Sequence, residues 1–294
     1  METVPGILSG LNTASFKTVA RALTIVENDL AGANDLLKGL TFPKKTPIIG
    51  ITGPPGAGKS TLVNALISLI NDGSKVAVLA IDPTSPFNFG SLLGDRIRMS
   101  GHFNHPDVFI RSLATRGSLG GLSAKTIEMS DVLRAAGFDY VFIETVGVGQ
   151  SEVEIAGLAD ITMVVLVPES GDEIQNIKSG LMEIADAFIV NKADRDGADI
   201  FANNLKKISQ QKGEGLTVFK TIASQSSGID EIAAFIKSTQ NIKNTRAEFL
   251  LADKAYKLIQ QKRMRNIDKA ELRKKIAGAM SIPGFNLYAF IEKY

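Results

Sequence analysis

Residues 53–60 read Gly-Pro-Pro-Gly-Ala-Gly-Lys-Ser, a full match to G-x-x-x-x-G-K-[ST]. In that pattern successive backbone N–H groups converge on phosphate oxygens, and glycine keeps a Cβ from standing in the way. Gly53, Gly56 and Gly58 supply this freedom, with Pro54, Pro55 and Ala57 between them. The following run "STLVNALISLI" reads as a helix, whose N-terminus adds partial positive charge. The implied ligand is a nucleoside triphosphate with Mg²⁺. Lys59 would reach the β/γ-phosphates, Ser60 would place its hydroxyl on the metal, and Thr61 would face the α-phosphate.

A second tetrapeptide, Asn191-Lys192-Ala193-Asp194, matches N-K-x-D and ends the apolar run "AFIVNK". An ionised Asp194 can accept from both guanine N1–H and the exocyclic amino group. Adenine presents a lone pair at N1 and no amino group at C2, so the ligand expected is GTP or GDP. Sites built on such bonds discriminate by roughly 10⁴ or more. In "IASQSSGIDE", Ala223 and Ser224 offer backbone N–H groups toward guanine O6, although Ile222 stands where such loops often carry serine.

Metal and γ-phosphate recognition should come from loops at the carboxyl ends of neighbouring strands. Asp82 ends "KVAVLAID", Glu144 ends "YVFIE", and Asp95 lies in "GSLLGDRIRM". Glu144-Thr145-Val146-Gly147 is D-x-x-G with glutamate for aspartate: its carboxylate would hold Mg²⁺ through water, and the Gly147 N–H would meet the γ-phosphate. Helix N-capping is the alternative for Asp82 and Glu144. Where many GTPases carry a water-orienting glutamine this chain has Val148, with Gln150 the nearest glutamine. Unassisted turnover is therefore expected to be slow, with a partner or a switch movement completing the site.

These loops need a scaffold. "PIIGIT", "KVAVLAID", "DVFIRSL", "YVFIET", "ITMVVLVP", "AFIVNK" and "LTVFKTI" are short, near-continuous apolar runs separated by helical stretches. That alternation predicts an α/β fold of the P-loop NTPase class: a mostly parallel central sheet with helices on both faces. Val19, Leu23, Val26, Leu30, Ala33 and Leu37 predict one amphipathic helix before it, ended by "KGLTFPKKTP". After "STQNIKNTRAEF" the chain turns to charged helix, with Leu251, Ala255, Leu258 and Ile259 on one face and a basic run from Lys262 to Lys275. The basic run reads as solvated surface; the stripe beneath it could pack on a second subunit. The boundaries expected are 1–45 for an N-terminal helical extension, 46–240 for the GTPase domain and 241–294 for a C-terminal helical arm.

Composition removes other classes. Lys+Arg 33 against Asp+Glu 31 gives a net charge of +2, with no strong field toward nucleic acid or an anionic membrane. The absence of cysteine excludes disulfides, thiolate zinc and a cysteine nucleophile. His102 and His105 are expected in a polar surface turn and not at a metal. No run is long enough to span a bilayer and the start lacks a signal peptide pattern, so a cytoplasmic protein is expected.

Taken together, "GPPGAGKST", "AIDPTSPFNFGSLLGDRIRM", "LATRGSLGGLS", "ETVGVGQSE", "VPESGDEIQNIKSGLMEIAD" and "VNKAD" resemble the methylmalonyl-CoA mutase-associated GTPases, the MeaB family, over about residues 15–290. The resemblance implies a homodimeric G-protein chaperone that gates adenosylcobalamin loading and protects a cobalamin-dependent acyl-CoA mutase. It implies Mg²⁺ and catalytic roles for Asp82, Asp95 and Glu144, a mobile switch at 170–178 in which Lys178 signals to the mutase, and a dimer arm in the C-terminal helices. Glu169-Ser170 and Ile222 depart from the family pattern. Two other functions were open to such a chain: a nucleotide-sensing scaffold with little hydrolysis, and a transport-linked kinase or ATPase, against which the N-K-A-D tetrapeptide argues.

Overall fold

Every one of the seven apolar runs becomes a strand, and the paired strands all run parallel: β1 (Ile48–Thr52), β2 (Val76–Asp82), β3 (Val108–Ala114), β4 (Tyr140–Glu144), β5 (Ile161–Leu166), β6 (Ala187–Asn191) and β7 (Thr217–Thr221). The computed structural model describes residues 3–11, 15–71, 73–82, 99–114, 124–145, 155–169, 182–211, 216–239, 247–264 and 266–294. Strand order is β3-β2-β4-β1-β5-β6-β7. The chain leaves β1 toward one side of the sheet and later crosses back to β5, so the topological switch lies at the carboxyl end of β1, where doubly wound sheets bind ligands.

Alternate strand residues go to opposite faces. On one, Ile51, Met163, Val165 and Ile189 pack with Leu62, Leu66 and Ile70 of α4 (Lys59–Ile70) and with Ile232 and Ile236 of a later helix, Ile229–Thr239. On the other, Val164, Leu166, Phe188 and Val190 meet Phe201 and Leu205 of the helix Ala198–Gln211. Burial on both faces explains why the strands read as unbroken apolar runs.

The amino edge of the sheet is pinned by aspartates that precede strands. Asp139, before β4, accepts from the Lys75 N–H at 2.8 Å; Asp160, before β5, from Ile48 N–H at 2.8 Å; Asp186, before β6, from Thr162 N–H at 2.7 Å. Each satisfies a donor at the start of an adjoining strand. Asp160→Ala would orphan the amide of fully buried Ile48, a loss of about 1–3 kcal/mol. Urea unfolding should show that loss while GDP affinity stays unchanged.

The N-terminal region departs from expectation. The single helix predicted over residues 19–37 is two: α2 (Phe16–Glu27) and α3 (Ala33–Lys38), preceded by α1 (Val4–Leu11). Asp29 takes a left-handed φ of 49°, and the Leu30 N–H bonds back to Ile25 O while Asp29 N–H bonds to Val26 O. That is a Schellman ending with aspartate where glycine is usual, and it turns Leu30 out to 48% exposure. α2 packs on α5 (Ala124–Ala135), and its Phe16 stacks with Phe138 and meets Phe109 edge-on. α1–α3 belong to the same compact unit as the sheet, Met1–Leu251.

The histidines lie in a surface turn, with Gly101, Phe103, Asn104 and Pro106 exposed. Within it His102 is buried, with Nε2 3.2 Å from Ser68 Oγ on α4, and His105 Nε2 lies 3.4 Å from the Asn71 amide, so the turn is docked on the end of α4. Among the described residues no group of three metal-type ligands occurs, and no helix is long and apolar enough to cross a membrane.

The helices Ala198–Gln211 and Ile229–Thr239 are α6 and α7; α8 (Ala247–Met264), α9 (Lys269–Met280) and α10 (Leu287–Ile291) follow. A second unit, Ala252–Tyr294, holds most of α8 with α9 and α10. Leu251, Ala255 and Ile259 are exposed and Leu258 is half-buried.

Candidate nucleotide-binding site

The loop joining β1 to α4 is pressed from behind by the ends of β5 and β6. Gly53 has φ 134°, and a Cβ there would stand 2.0 Å from the Val165 carbonyl oxygen; at Gly58, φ 89°, it would stand 2.4 Å from Asn191 Nδ2. Neighbouring strands therefore demand these two glycines before any ligand does. α4 begins at Gly58 without a side-chain cap, so its first turn faces the loop as an anion-binding end. Lys59 is only 6% exposed, and its ammonium donates to Gly53 O at 2.8 Å and Pro54 O at 3.0 Å. A buried cation held by loop carbonyls is poised for anionic oxygens entering the same cradle.

Ser60 and Glu144 meet beside it. The Ser60 hydroxyl donates to Glu144 Oε1 at 2.6 Å, with both residues buried. β1 and β4 are neighbours in register, Ile51 opposite Glu144, which carries the carboxylate to the loop's flank. A hydroxyl and a carboxylate in contact are the hard oxygen donors that Mg²⁺ takes, so the residues present fit that ion. Asp82 closes β2, opposite Ala114 of β3; its side chain, and all of Asp95, Gly147, Val148, Gln150 and Lys178, lie outside the described residues.

At the base end Asn191 acts as a clamp. Its Nδ2 donates to Ala57 O at 2.8 Å, and its Oδ1 accepts from Thr221 Oγ1 and from the Ala223 N–H, each at 3.1 Å. One carboxamide thus joins the phosphate loop, the end of β7 and the turn after it. Lys192, in a left-handed conformation at φ 56°, adds a tie from Nζ to Gly56 O at 2.8 Å. Asp194 lines a cleft of about 200 Å³ together with Gly58, Thr61, Lys192, Ala223 and Ser224. The Ala223 N–H, expected to meet guanine O6, is occupied by Asn191 Oδ1.

Two cleft-lining residues were not singled out as ligands from sequence, Arg195 and Ile222. Arg195 directly follows Asp194, and that adjacency was the available signal. Its guanidinium pairs with Glu169, holding that carboxyl below its ordinary range. Both partners are about half exposed (47% and 53%), so the pair adds little stability.

Comparison with known proteins gives the family. The sequence model of the family described as methylmalonyl-CoA mutase-associated GTPase MeaB matches residues 19–281. A relative from Pyrococcus horikoshii is 47% identical over 246 residues, 81% of this chain and 78% of its own. The methylmalonic aciduria type A homolog, mitochondrial, of Caenorhabditis briggsae is 39% identical over 211 residues, 66% of this chain and 51% of that protein. Among solved structures, one described as an LAO/AO transport system kinase superposes with a TM-score of 0.68 at 25% identity, covering 99% of this chain and 96% of its own.

Proposed function

This chain belongs to the methylmalonyl-CoA mutase-associated GTPase family MeaB, and from that premise we propose that it is a GTP-hydrolysing chaperone of a cobalamin-dependent acyl-CoA mutase, gating adenosylcobalamin loading and protecting the mutase. The observation that carries the nucleotide part is the Asn191 clamp, which sets a guanine-type carboxylate and a phosphate loop at one crevice. The mutase part rests on the family's description and on the C. briggsae relative, whose name refers to methylmalonic aciduria.

In this reading the loop from Gly53 to Ser60 cradles the phosphates, Thr61 faces the α-phosphate, and Lys59 turns its ammonium from loop carbonyls to the β/γ-oxygens. Asp194 accepts from guanine, with Ser224 and its neighbours closing the O6 side. Ser60 and Glu144, with Asp82 and Asp95, would hold Mg²⁺, and the bound ion would supply positive charge beside the transferred phosphoryl group. Phosphoryl transfer needs position and charge more than covalent chemistry, so a group supplied in trans can raise the rate by roughly 10³–10⁵. The C-terminal helices form a homodimer arm, a role supported by the exposure of Tyr256, Ile259, Met280 and Tyr288 within that unit. The protein is expected to work in the cytoplasm.

The test is single-turnover GTP hydrolysis with and without methylmalonyl-CoA mutase. Stimulation of about 10²-fold or more is expected from a partner that completes the site. Lys178→Ala should leave intrinsic GTP affinity within about threefold while cutting the stimulated rate, because only the assembled state uses the side chain. A variant stimulated as fully as the parent removes Lys178 from the mechanism. Hydrolysis absent in both arms would favour a nucleotide-sensing scaffold.

A further inference from the structure

Between the phosphate loop and Glu144 lies a buried pair of hydroxyls that nucleotide recognition does not use. Thr52 is the last residue of β1, directly before Gly53; Thr145 follows Glu144 directly. Thr52 is fully buried and Thr145 is 2% exposed, and the Thr145 hydroxyl donates to Thr52 Oγ1 at 2.9 Å. The Thr145 backbone N–H also donates to Ile51 O at 3.0 Å. Since Ile51 stands opposite Glu144 in the ladder, the threonines stand opposite each other one step beyond it.

A pair of threonines is a poor choice for stability alone. Valine has the same shape, and replacing both partners of a buried hydrogen bond by apolar groups is often neutral or stabilising. What the hydroxyls add is side-chain order where the ladder ends: backbone bonds hold β1 and β4 in register as far as the Thr145 N–H, and the 2.9 Å bond fixes the two threonine rotamers and extends that tie one residue further. The link sits where the strands give way to the site loops. One residue upstream of Thr145 is the carboxylate bonded to Ser60, and one residue downstream of Thr52 the phosphate loop begins.

We propose that Thr145 and Thr52 are positioning residues for hydrolysis, their hydroxyl pair holding Glu144 and the phosphate loop as one rigid unit so that the Ser60 and Glu144 oxygens keep the spacing a metal-bound triphosphate needs. The proposal rests on the GTPase reading and deepens it. Neither threonine touches nucleotide in this scheme, so their loss should act on metal dependence and rate while leaving the base-bound ground state alone. Misplacements of about 1 Å at such a site can cost up to ~10²-fold in rate.

The experiment uses the full chain in four variants: Thr145→Val, Thr52→Val, the double valine, and Thr145→Ser, which keeps the hydroxyl. Each is read by thermal unfolding, by GDP affinity without metal, by the Mg²⁺ concentration giving half-maximal tightening of GDP, and by single-turnover GTP hydrolysis. The three valine variants should hydrolyse GTP about tenfold more slowly, with GDP affinity without metal within about twofold and a raised Mg²⁺ midpoint. The serine variant should keep the parent's Mg²⁺ midpoint and rate. The double valine, having no orphaned hydroxyl, should melt no lower than the parent, which separates position from folding. A double valine with the parent's Mg²⁺ midpoint and hydrolysis rate overturns the proposal alone; a parent that neither binds nor hydrolyses GTP overturns the GTPase reading and this proposal with it.

Discussion

Asp194→Asn should lower GTP and GDP affinity by about 10²-fold or more and turn the preference toward xanthosine nucleotides. The carboxylate is expected to take two hydrogen bonds from guanine, and bonds to a charged acceptor contribute about 1.5–3 kcal/mol each. Tenfold in affinity is about 1.4 kcal/mol, so turning one charged acceptor into a donor and leaving the other bond to a neutral oxygen is worth about two orders of magnitude. The new amide would also face the guanine amino group donor against donor. Xanthine has an oxygen at C2 that can accept from that amide, which reverses the conflict. Folding should be untouched, because Asp194 is exposed on the cleft and the loops are tied together by Asn191 and Lys192. Calorimetry with GDP, ADP and xanthosine diphosphate on parent and variant decides it; equal affinity of the parent for GDP and ADP would sink the guanine assignment.

The strands were legible because burial on both faces erases alternation and leaves apolar runs such as "ITMVVLV" that a solvent-facing sheet would not carry. The phosphate loop and the base tetrapeptide were legible because each needs particular residue types at fixed spacing on a strand end. Less visible was what joins them. That Asn191 reaches Ala57 across the crevice depends on β1, β5 and β6 being neighbours, a fact of topology with no local trace. The break in the N-terminal helix escaped notice because the apolar stripe runs on through Leu30, while the residue that ends α2, Asp29, is not the glycine that usually marks a left-handed C-cap. The Thr52–Thr145 bond escaped for a similar reason: its members lie 93 positions apart and only the parallel register of β1 with β4 brings them level. Glycine was read for its openness to phosphate, yet Gly53 and Gly58 are fixed first by Val165 and Asn191, an interior demand that spacing alone does not reveal.

Glu144→Gln should depress GTP hydrolysis by about 10²–10³-fold, the scale of removing one preorganised charge-stabilising group, while GDP affinity stays within a few fold. The amide keeps the size of the side chain and an oxygen that can accept the Ser60 hydroxyl now bonded at 2.6 Å, so Ser60 need not move. What it lacks is charge, and charge counts most when the γ-phosphoryl group is in flight, which GDP does not have. Asp82→Ala should share the kinetic signature if its carboxylate serves the same ion. Equal loss of hydrolysis and of GDP binding, together with a lower melting temperature, would instead make Glu144 a structural anchor for α4 and end its assignment to the metal.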